Sequence, residues 1–304
     1  MTGVQTCALP IYRAVRAVDH VSTAFKYGEI TGIIGESGCG KSVLGMAILG
    51  LLPPYAQIEG EIIYQNQDLI KLNDRQIRKI RGRKIGWIPQ NPSESLNPVI
   101  KIKSQIKESL RLNKERFSKK EHLGISLLES FGFHDPQRVA VYYPFELSGG
   151  MKQRVTSAMG IACSPQWVIA DEPTKGLDKA LREQTYSTLL SIKEQGVKGM
   201  IIITHDIVLA KELCDQVAVM YSGQILEKGP QVIGKPLHPY TKALIASLPE
   251  NGMNPMPGSA PTPSENFIGC KFAPRCQFWM ERCIKESPQA FYKDGGMVRC
   301  FLYD

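Results

Sequence analysis

Nothing in these 304 residues reads as a membrane-spanning helix: the best apolar candidate, Met46 to Leu52, stops at Pro53-Pro54, well short of the ~18 apolar residues a span requires. The N-terminus also lacks a charged-then-apolar leader, so nothing directs the chain to secretion and the cytosol is the expected compartment. The eight cysteines include no C-x-x-C pair of the common zinc sites, and disulfides are not expected in a cytosolic protein. No internal repeat is visible. The net charge of +8 is unevenly placed: Lys101 to Lys120 is rich in bases, with Glu108 and Glu115 its only acids. No aromatic residues alternate with those bases to stack on nucleotides, so the stretch reads as a solvated helix face and not as a nucleic-acid patch. A hydrophobic content of 43% and a charged content of 22% are ordinary for a globular protein, and the length allows one large or two modest domains.

What is present is chemistry for phosphate. Gly35-Glu36-Ser37-Gly38-Cys39-Gly40-Lys41-Ser42 fits a phosphate-cradling loop. Its glycines let consecutive N–H groups turn toward an anion, Lys41 reaches the β- and γ-phosphates, and Ser42 offers a hydroxyl to Mg2+. Ile30 to Ile34 is a short β-branched run feeding the loop, and Val43 to Leu52 continues as a helix, which is the context the motif requires. Leu147-Ser148-Gly149-Gly150-Met151-Lys152-Gln153-Arg154 sets two glycines behind a Ser at a helix start, again anion-binding chemistry. One nucleotide cannot readily use two such helix N-termini so far apart in sequence. The pair therefore predicts two chains with ATP sandwiched between them.

Gly60 to Tyr64 and Lys84 to Ile88 read as short strands. From Val99 to Gly132 the pattern turns helical, with Ile102, Ile106, Leu110, Leu123, Leu127, Leu128 and Phe131 at three- and four-residue spacing. This helical insert interrupts an otherwise α/β chain. Trp167 to Ala170 and Met200 to Thr204 are apolar runs followed by polar residues, the pattern of buried parallel strands whose C-terminal ends carry chemistry. Val217 to Tyr221 and Gln224 to Glu227 read as a hairpin around Ser222-Gly223. Met1 to Ile11 lacks strand alternation although a strand is expected before Tyr12; it resembles a translated sequencing adapter joined to a truncated gene and is treated as non-native.

Asp171 and Glu172 end the apolar run Val168-Ile169-Ala170. Asp171 is placed to hold Mg2+ through its water shell, and Glu172 to polarise an attacking water. Alone, two acids would read as a strand ending in a turn; here Asp171 follows Lys41 by 130 residues and Ser148 by 23. His205 ends the next apolar strand, where it can contact a γ-phosphate. Gln90, after Gly86-Trp87-Ile88-Pro89, sits where the core gives way to the helical insert and can touch Mg2+ or water.

Taken in order, these residues resemble the ATP-binding subunit of ABC transporters from Tyr12 to Pro249. The resemblance implies an α/β P-loop ATPase core with a helical subdomain at about 91–160 and an antiparallel β subdomain. It implies ATP and Mg2+ as cofactors, a Walker A loop at Gly35 to Ser42, a Q-loop at Gln90, and a signature at Leu147 to Gln153. It further implies Walker B through Asp171, a catalytic Glu172 and a switch His205, with Ser42, Gln90 and Asp171 at the Mg2+. A D-loop is implied at Gly176-Leu177-Asp178, where Lys175-Gly176 departs from the Ser or Ala usual before Leu. Tyr12, 23 residues before Gly35, falls where the family stacks an aromatic on adenine.

The tail narrows the resemblance. Pro249 to Pro263 reads as a Pro-rich linker between an ATPase domain, 12–248, and an extension through 304. His238-Pro239-Tyr240-Thr241-Lys242-Ala243-Leu244, then Cys270, Cys276, Cys283 and Cys300, look like the C-terminal extension of the dipeptide, oligopeptide and nickel importer ATPases. Four thiolates can hold an iron–sulfur cluster, and the resemblance favours a 4Fe–4S centre, the plain alternative being four reduced cysteines in a packed tail. Beyond a linker, such a centre is expected to serve structure or docking and not hydrolysis. Cys7, Cys39, Cys163 and Cys214 are expected to be packing residues. The implied function is ATP hydrolysis powering import of peptides or nickel from the cytoplasmic face of the membrane. The implied partners are a second, different ATPase, two permease subunits and, indirectly, an extracytoplasmic binding protein, with no nucleic acid. The alternative is a soluble ATPase of the same family acting on DNA or ribosomes, which usually carries a long coiled-coil or second-cassette insertion; neither is seen here. Intact Lys41, Asp171, Glu172 and His205 argue against a regulatory module with dead chemistry.

Overall fold

The computed structural model describes residues 2–6, 15–111, 120–194, 196–261 and 267–304. The chain divides into two compact units, one of 1–25, 30–71 and 204–304, the other of 26–29 and 72–203. Among the described residues no helix is long and apolar enough to cross a membrane.

In the first unit the β-branched run Ile30–Ile34 is a strand buried along its whole length. It lies parallel to Gln216–Tyr221, with Gln216 opposite Thr31 and Val219 opposite Ile34. Gln216–Tyr221 turns through Ser222-Gly223 into the antiparallel Gln224–Gly229, the hairpin expected from the sequence. Gln224–Gly229 in turn pairs with Gly296–Val298, and that strand with Phe291–Lys293. A second sheet places Thr2–Thr6 between Val15–Val21 and Ala56–Gly60, antiparallel to both. The segment that lacks strand alternation therefore holds a strand, before Tyr12 as expected: backbone groups paired on both edges do not need alternating side chains to form a ladder.

Residues 249–304 belong to this same unit and not to a separate domain. The Pro-rich stretch is tied down where the Ser222 hydroxyl donates to the Pro261 carbonyl at 3.1 Å. Beyond it Phe272 enters the core beside Tyr221 and Tyr240, with ring centroids 5.5 and 5.4 Å away, while Tyr221 and Tyr240 stand 4.5 Å apart. All three rings are essentially inaccessible to solvent, and burying such a side chain is worth about 1.5–3 kcal/mol. That gain fastens the extension to the unit despite the proline content of the segment before it.

In the second unit Trp167–Asp171 is fully buried and parallel to Ile85–Ile88 on one side and to Gly199–Thr204 on the other. A strand buried on both faces needs a continuous apolar run, which is why these segments do not alternate. Within Val99 to Gly132 the helices Ile102–Leu110 and Lys120–Ser130 form where the spacing predicts them, and Pro136–Val141 and Gly149–Ile161 follow as further helices. Ile102, Ile106, Leu110, Leu128 and Phe131 are buried, and Lys103 and Lys107 are exposed on the opposite face of their helix.

Candidate nucleotide site

The strand Ile30–Ile34 ends at Gly35, and the helix Lys41–Ile48 begins six residues later. Between them the loop passes so close to neighbouring backbone that two positions exclude any side chain. A Cβ on Gly35 would lie 2.0 Å from the Met220 carbonyl oxygen, and one on Gly40 2.1 Å from that of Ala17. Gly40, at φ +102°, supplies the left-handed turn that starts the helix. Ser37 and Gly38 are exposed at the tip. Lys41 is buried and folds back over the loop, its Nζ donating to the carbonyls of Gly35 at 2.8 Å and Glu36 at 2.9 Å. Ser42 is the second residue of the helix. Cys39 is buried behind the tip, and burial pushes its thiol up from the ordinary range. A lysine ammonium over a glycine-rich turn at a helix N-terminus is an arrangement suited to cradling a polyphosphate.

His205 is exposed in the turn after Gly199–Thr204. Thr204 and Asp206 build that turn: the Asp206 N–H donates to the Thr204 hydroxyl at 2.9 Å, and the Asp206 carboxylate accepts from the Leu209 N–H at 3.0 Å, capping Ile207–Leu213.

Within the second unit, Asp171 and Glu172 stand at the end of the central strand, 4% and 8% exposed. Glu172 adopts φ +47° while its N–H donates to the Ile203 carbonyl at 2.7 Å. A left-handed glutamate at a strand end is costly, and such costs collect where a carboxylate must be aimed. Ser148 caps Gly149–Ile161, its hydroxyl accepting from the Met151 N–H at 3.3 Å, and Ser148 and Gly149 are exposed while Gly150 and Gln153 are buried. That leaves an outward-facing helix N-terminus suited to an anion carried by another molecule. Asp178 caps the helix Lys179–Glu194 by accepting from the Leu181 N–H at 2.9 Å, and Gln90 is half-buried just past Ile85–Ile88. Tyr12 and Cys7 lie outside the described residues.

Cys270, Cys276, Cys283 and Cys300 line one small pocket with Phe272, Phe278 and Phe301. Cys270 and Cys283 are buried and joined through the backbone, Cys270 N–H to Cys283 carbonyl, at 2.7 Å. Burial, reinforced by the neighbouring thiols, pushes Cys270 up to about 11. Among the described residues no group of three or more His, Cys, Asp or Glu is arranged to hold a metal ion.

Glu36, the second residue of the loop, has its own groups engaged from the extension. Its N–H donates to the Tyr240 hydroxyl at 3.1 Å, and its carboxylate takes both terminal nitrogens of Arg275 at 3.0 and 3.1 Å. Sequence reasoning missed Arg275. The one available hint was an acid inside an anion-binding loop, which calls for a nearby counter-ion. Tyr240 is aimed by its own local sequence: Pro239 opens the helix Pro239–Ala246, and His238 Nδ1 accepts from the Tyr240 N–H at 2.9 Å. Burial pushes His238 down to about 3, keeping it neutral as that acceptor.

A phosphate cradle, a paired-acid strand end and a Ser-Gly-Gly helix start are the features of a nucleotide-hydrolysing P-loop protein of the cassette type. Comparison with known proteins agrees. Residues 18–175 match the family model described as ABC transporter, and residues 226–283 that of the oligopeptide/dipeptide transporter C-terminal region. The chain is 39% identical to the dipeptide transport ATP-binding protein DppD of Bacillus subtilis, covering 95% of this chain and 90% of that protein. It is 37% identical to the oligopeptide transport ATP-binding protein AppD of the same organism, at 95% and 92% coverage. The dimeric ATP-binding cassette MJ0796, solved in a post-hydrolysis state bound to ADP and Pi, superposes with a TM-score of 0.65 at 26% identity, over 76% of this chain and 98% of that one. The chain belongs to the ABC transporter family, as one of its ATP-binding subunits.

Proposed function

We propose that the chain hydrolyses ATP to drive peptide import, pairing with a second, related ATPase beneath two permease subunits at the cytoplasmic face of the membrane. The observation that carries this reading is the conjunction, in one chain, of the Lys41 cradle with a C-terminal region matched to oligopeptide and dipeptide transporters. The relatives' names favour peptides over nickel, and a soluble ATPase acting on DNA or ribosomes is not favoured.

Lys41 leaves the Gly35 and Glu36 carbonyls for the phosphates, whose charge it stabilises together with the loop amides. Mg2+, with Ser42, Gln90 and Asp171 as the expected ligands, supplies charge neutralisation between the phosphates when bound. Glu172 orients the attacking water and accepts its proton, and His205 contacts the γ-phosphate. Ser37, Gly38, Cys39 and Gly40 complete the loop around the phosphates. Ser148, Gly149, Gly150 and Gln153 serve the nucleotide held by the partner ATPase, with Asp178 at the same junction. The exposed Ser148-Gly149 helix start supports that assignment. Within the helical part of the second unit, Val99 is 78% and Phe145 70% exposed, which supports that surface as the permease contact. The four extension cysteines are proposed ligands of an iron–sulfur cluster. Their convergence on one pocket supports this, and a cluster's own sulfides hold its thiolates farther apart than a single ion would.

The test is Glu172→Gln. The variant should bind ATP, turn over at least about 10²-fold more slowly, and accumulate as a closed dimer containing the second ATPase. Near-normal turnover would remove Glu172 from the mechanism, and a trapped homodimer that supports transport would remove the hetero-pairing.

A further inference from the structure

Glu36 is an acid at the second position of a loop whose task is to hold a polyanion. Left alone, its carboxylate would oppose that task. In the folded chain it is met by Arg275, which lies 239 residues away. The guanidinium spans both carboxylate oxygens, Nη1 to Oε2 at 3.0 Å and Nη2 to Oε1 at 3.1 Å, the geometry in which arginine pairs most strongly and most directionally. Two further donors are used: Nε donates to the Pro257 carbonyl at 2.9 Å and Nη1 to the Tyr221 hydroxyl at 3.3 Å. The Arg275 side chain is 5% exposed and the Glu36 side chain 30% exposed. Tyr240 grips the same residue from the backbone side, its hydroxyl accepting the Glu36 N–H at 3.1 Å. The loop is held a third time at Cys39, whose carbonyl accepts from the Gly223 N–H at 2.9 Å. Lys271 secures that turn through the neighbouring Ser222 carbonyl at 2.8 Å.

We infer that Arg275 and Tyr240 are positioning residues for nucleotide binding: the C-terminal extension sets both the charge and the conformation of the phosphate loop. Arg275 cancels the Glu36 carboxylate, and Tyr240 fixes the direction of the loop as it leaves the strand. This rests on Gly35 to Ser42 being the phosphate site. It also revises the expectation that a tail beyond a Pro-rich segment would act apart from the nucleotide. Cys276 directly follows Arg275, so order in the cysteine pocket passes to the loop through one peptide bond.

The experiment is a double-mutant cycle on the affinity of the full chain for a fluorescent ATP analogue with Mg2+. An uncompensated unit charge on the order of 10 Å from a triphosphate weakens binding on the order of tenfold at a protein's effective dielectric. Arg275→Ala should therefore lose about tenfold in affinity, lose more at low salt than at high salt, and raise the KM for ATP more than it lowers kcat. The Glu36→Gln, Arg275→Ala double variant removes both charges, so it should return to within about threefold of the unsubstituted affinity. Tyr240→Phe keeps the ring in the core and removes only the acceptor, so it should also raise KM and serves if Arg275→Ala does not fold. A double variant that binds as weakly as Arg275→Ala alone, with no salt dependence, would make the arginine merely structural and overturn the inference. Wild-type affinity in both Arg275→Ala and Tyr240→Phe would overturn it as well. If the unsubstituted chain binds no analogue, it is the assignment of the phosphate site that fails instead.

Discussion

Replacing Gly40 with alanine puts the backbone of the phosphate loop to the test separately from its side chains. A Cβ at this position would meet the Ala17 carbonyl oxygen at 2.1 Å and Met220 Cε at 3.0 Å. The methionine can turn aside. The carbonyl cannot, because it belongs to the strand Val15–Val21 and moves only with the ladder around it. The left-handed backbone costs an L-residue about 1–2 kcal/mol, and a methyl forced into packed surroundings about 1–3 kcal/mol more. The sum, roughly 2–5 kcal/mol, is a large part of the ~5–15 kcal/mol that keeps a domain folded. It corresponds to a Tm lower by roughly 4–20 °C. Gly38→Ala is the control: φ is +80° there too, but nothing lies within 4 Å of its Cβ, leaving only the backbone cost, roughly 2–8 °C. Thermal unfolding of the two variants at one scan rate, with ATP-analogue titration of each, separates the contributions. Equal melting temperatures for the two variants, or wild-type behaviour of Gly40→Ala, would refute the close-approach argument.

Three further outcomes are expected. Burial would raise the Asp19 carboxyl, but Lys271 at 2.8 Å, with His20 and Gln224, outweighs it and holds the group at about 2. The pair therefore stabilises the fold fully above the ordinary carboxylate value and ceases to do so as pH falls through about 2. Lys271→Met should raise the pH of acid unfolding, and superimposable acid limbs for the two proteins would contradict the pairing. Protein purified without oxygen should be brown, absorbing broadly near about 400 nm with iron and sulfide in equal amounts. Cys276→Ser should abolish the colour, and colourless protein with stoichiometric zinc would exclude the cluster. Single cysteines placed between Asn91 and Ile106 should cross-link to cytoplasmic loops of a permease; cross-links to nucleic acid or ribosomal proteins would revive the soluble alternative.

Features built from neighbouring residues were legible without the structure. Gly35 to Ser42 is a contiguous peptide with the glycine spacing of a phosphate loop, so residue order alone encodes the motif. The same holds for Asp171-Glu172 after its apolar strand and for Ser148 before its glycines, because a strand end or a helix cap is decided within a few residues. The helix Ile102–Leu110 was visible because one face is buried at every third or fourth position.

What failed to show was whatever depends on distant segments meeting. The N-terminal strand Thr2–Thr6 owes its state to the two strands that flank it, not to alternation of its own. The prolines from 249 onward suggested a tether, yet the aromatic packing of Phe272 against Tyr221 and Tyr240 draws the extension into the core that supports the loop. The sequence by itself determined that this chain binds and hydrolyses a nucleotide, since that chemistry resides in short local strings. Only the tertiary structure decided that Arg275 and Tyr240, 239 and 204 residues from Glu36, hold the Gly35 to Ser42 loop. Contacts at such range are selected by packing and charge after the chain has folded, and no local pattern in either segment encodes its partner.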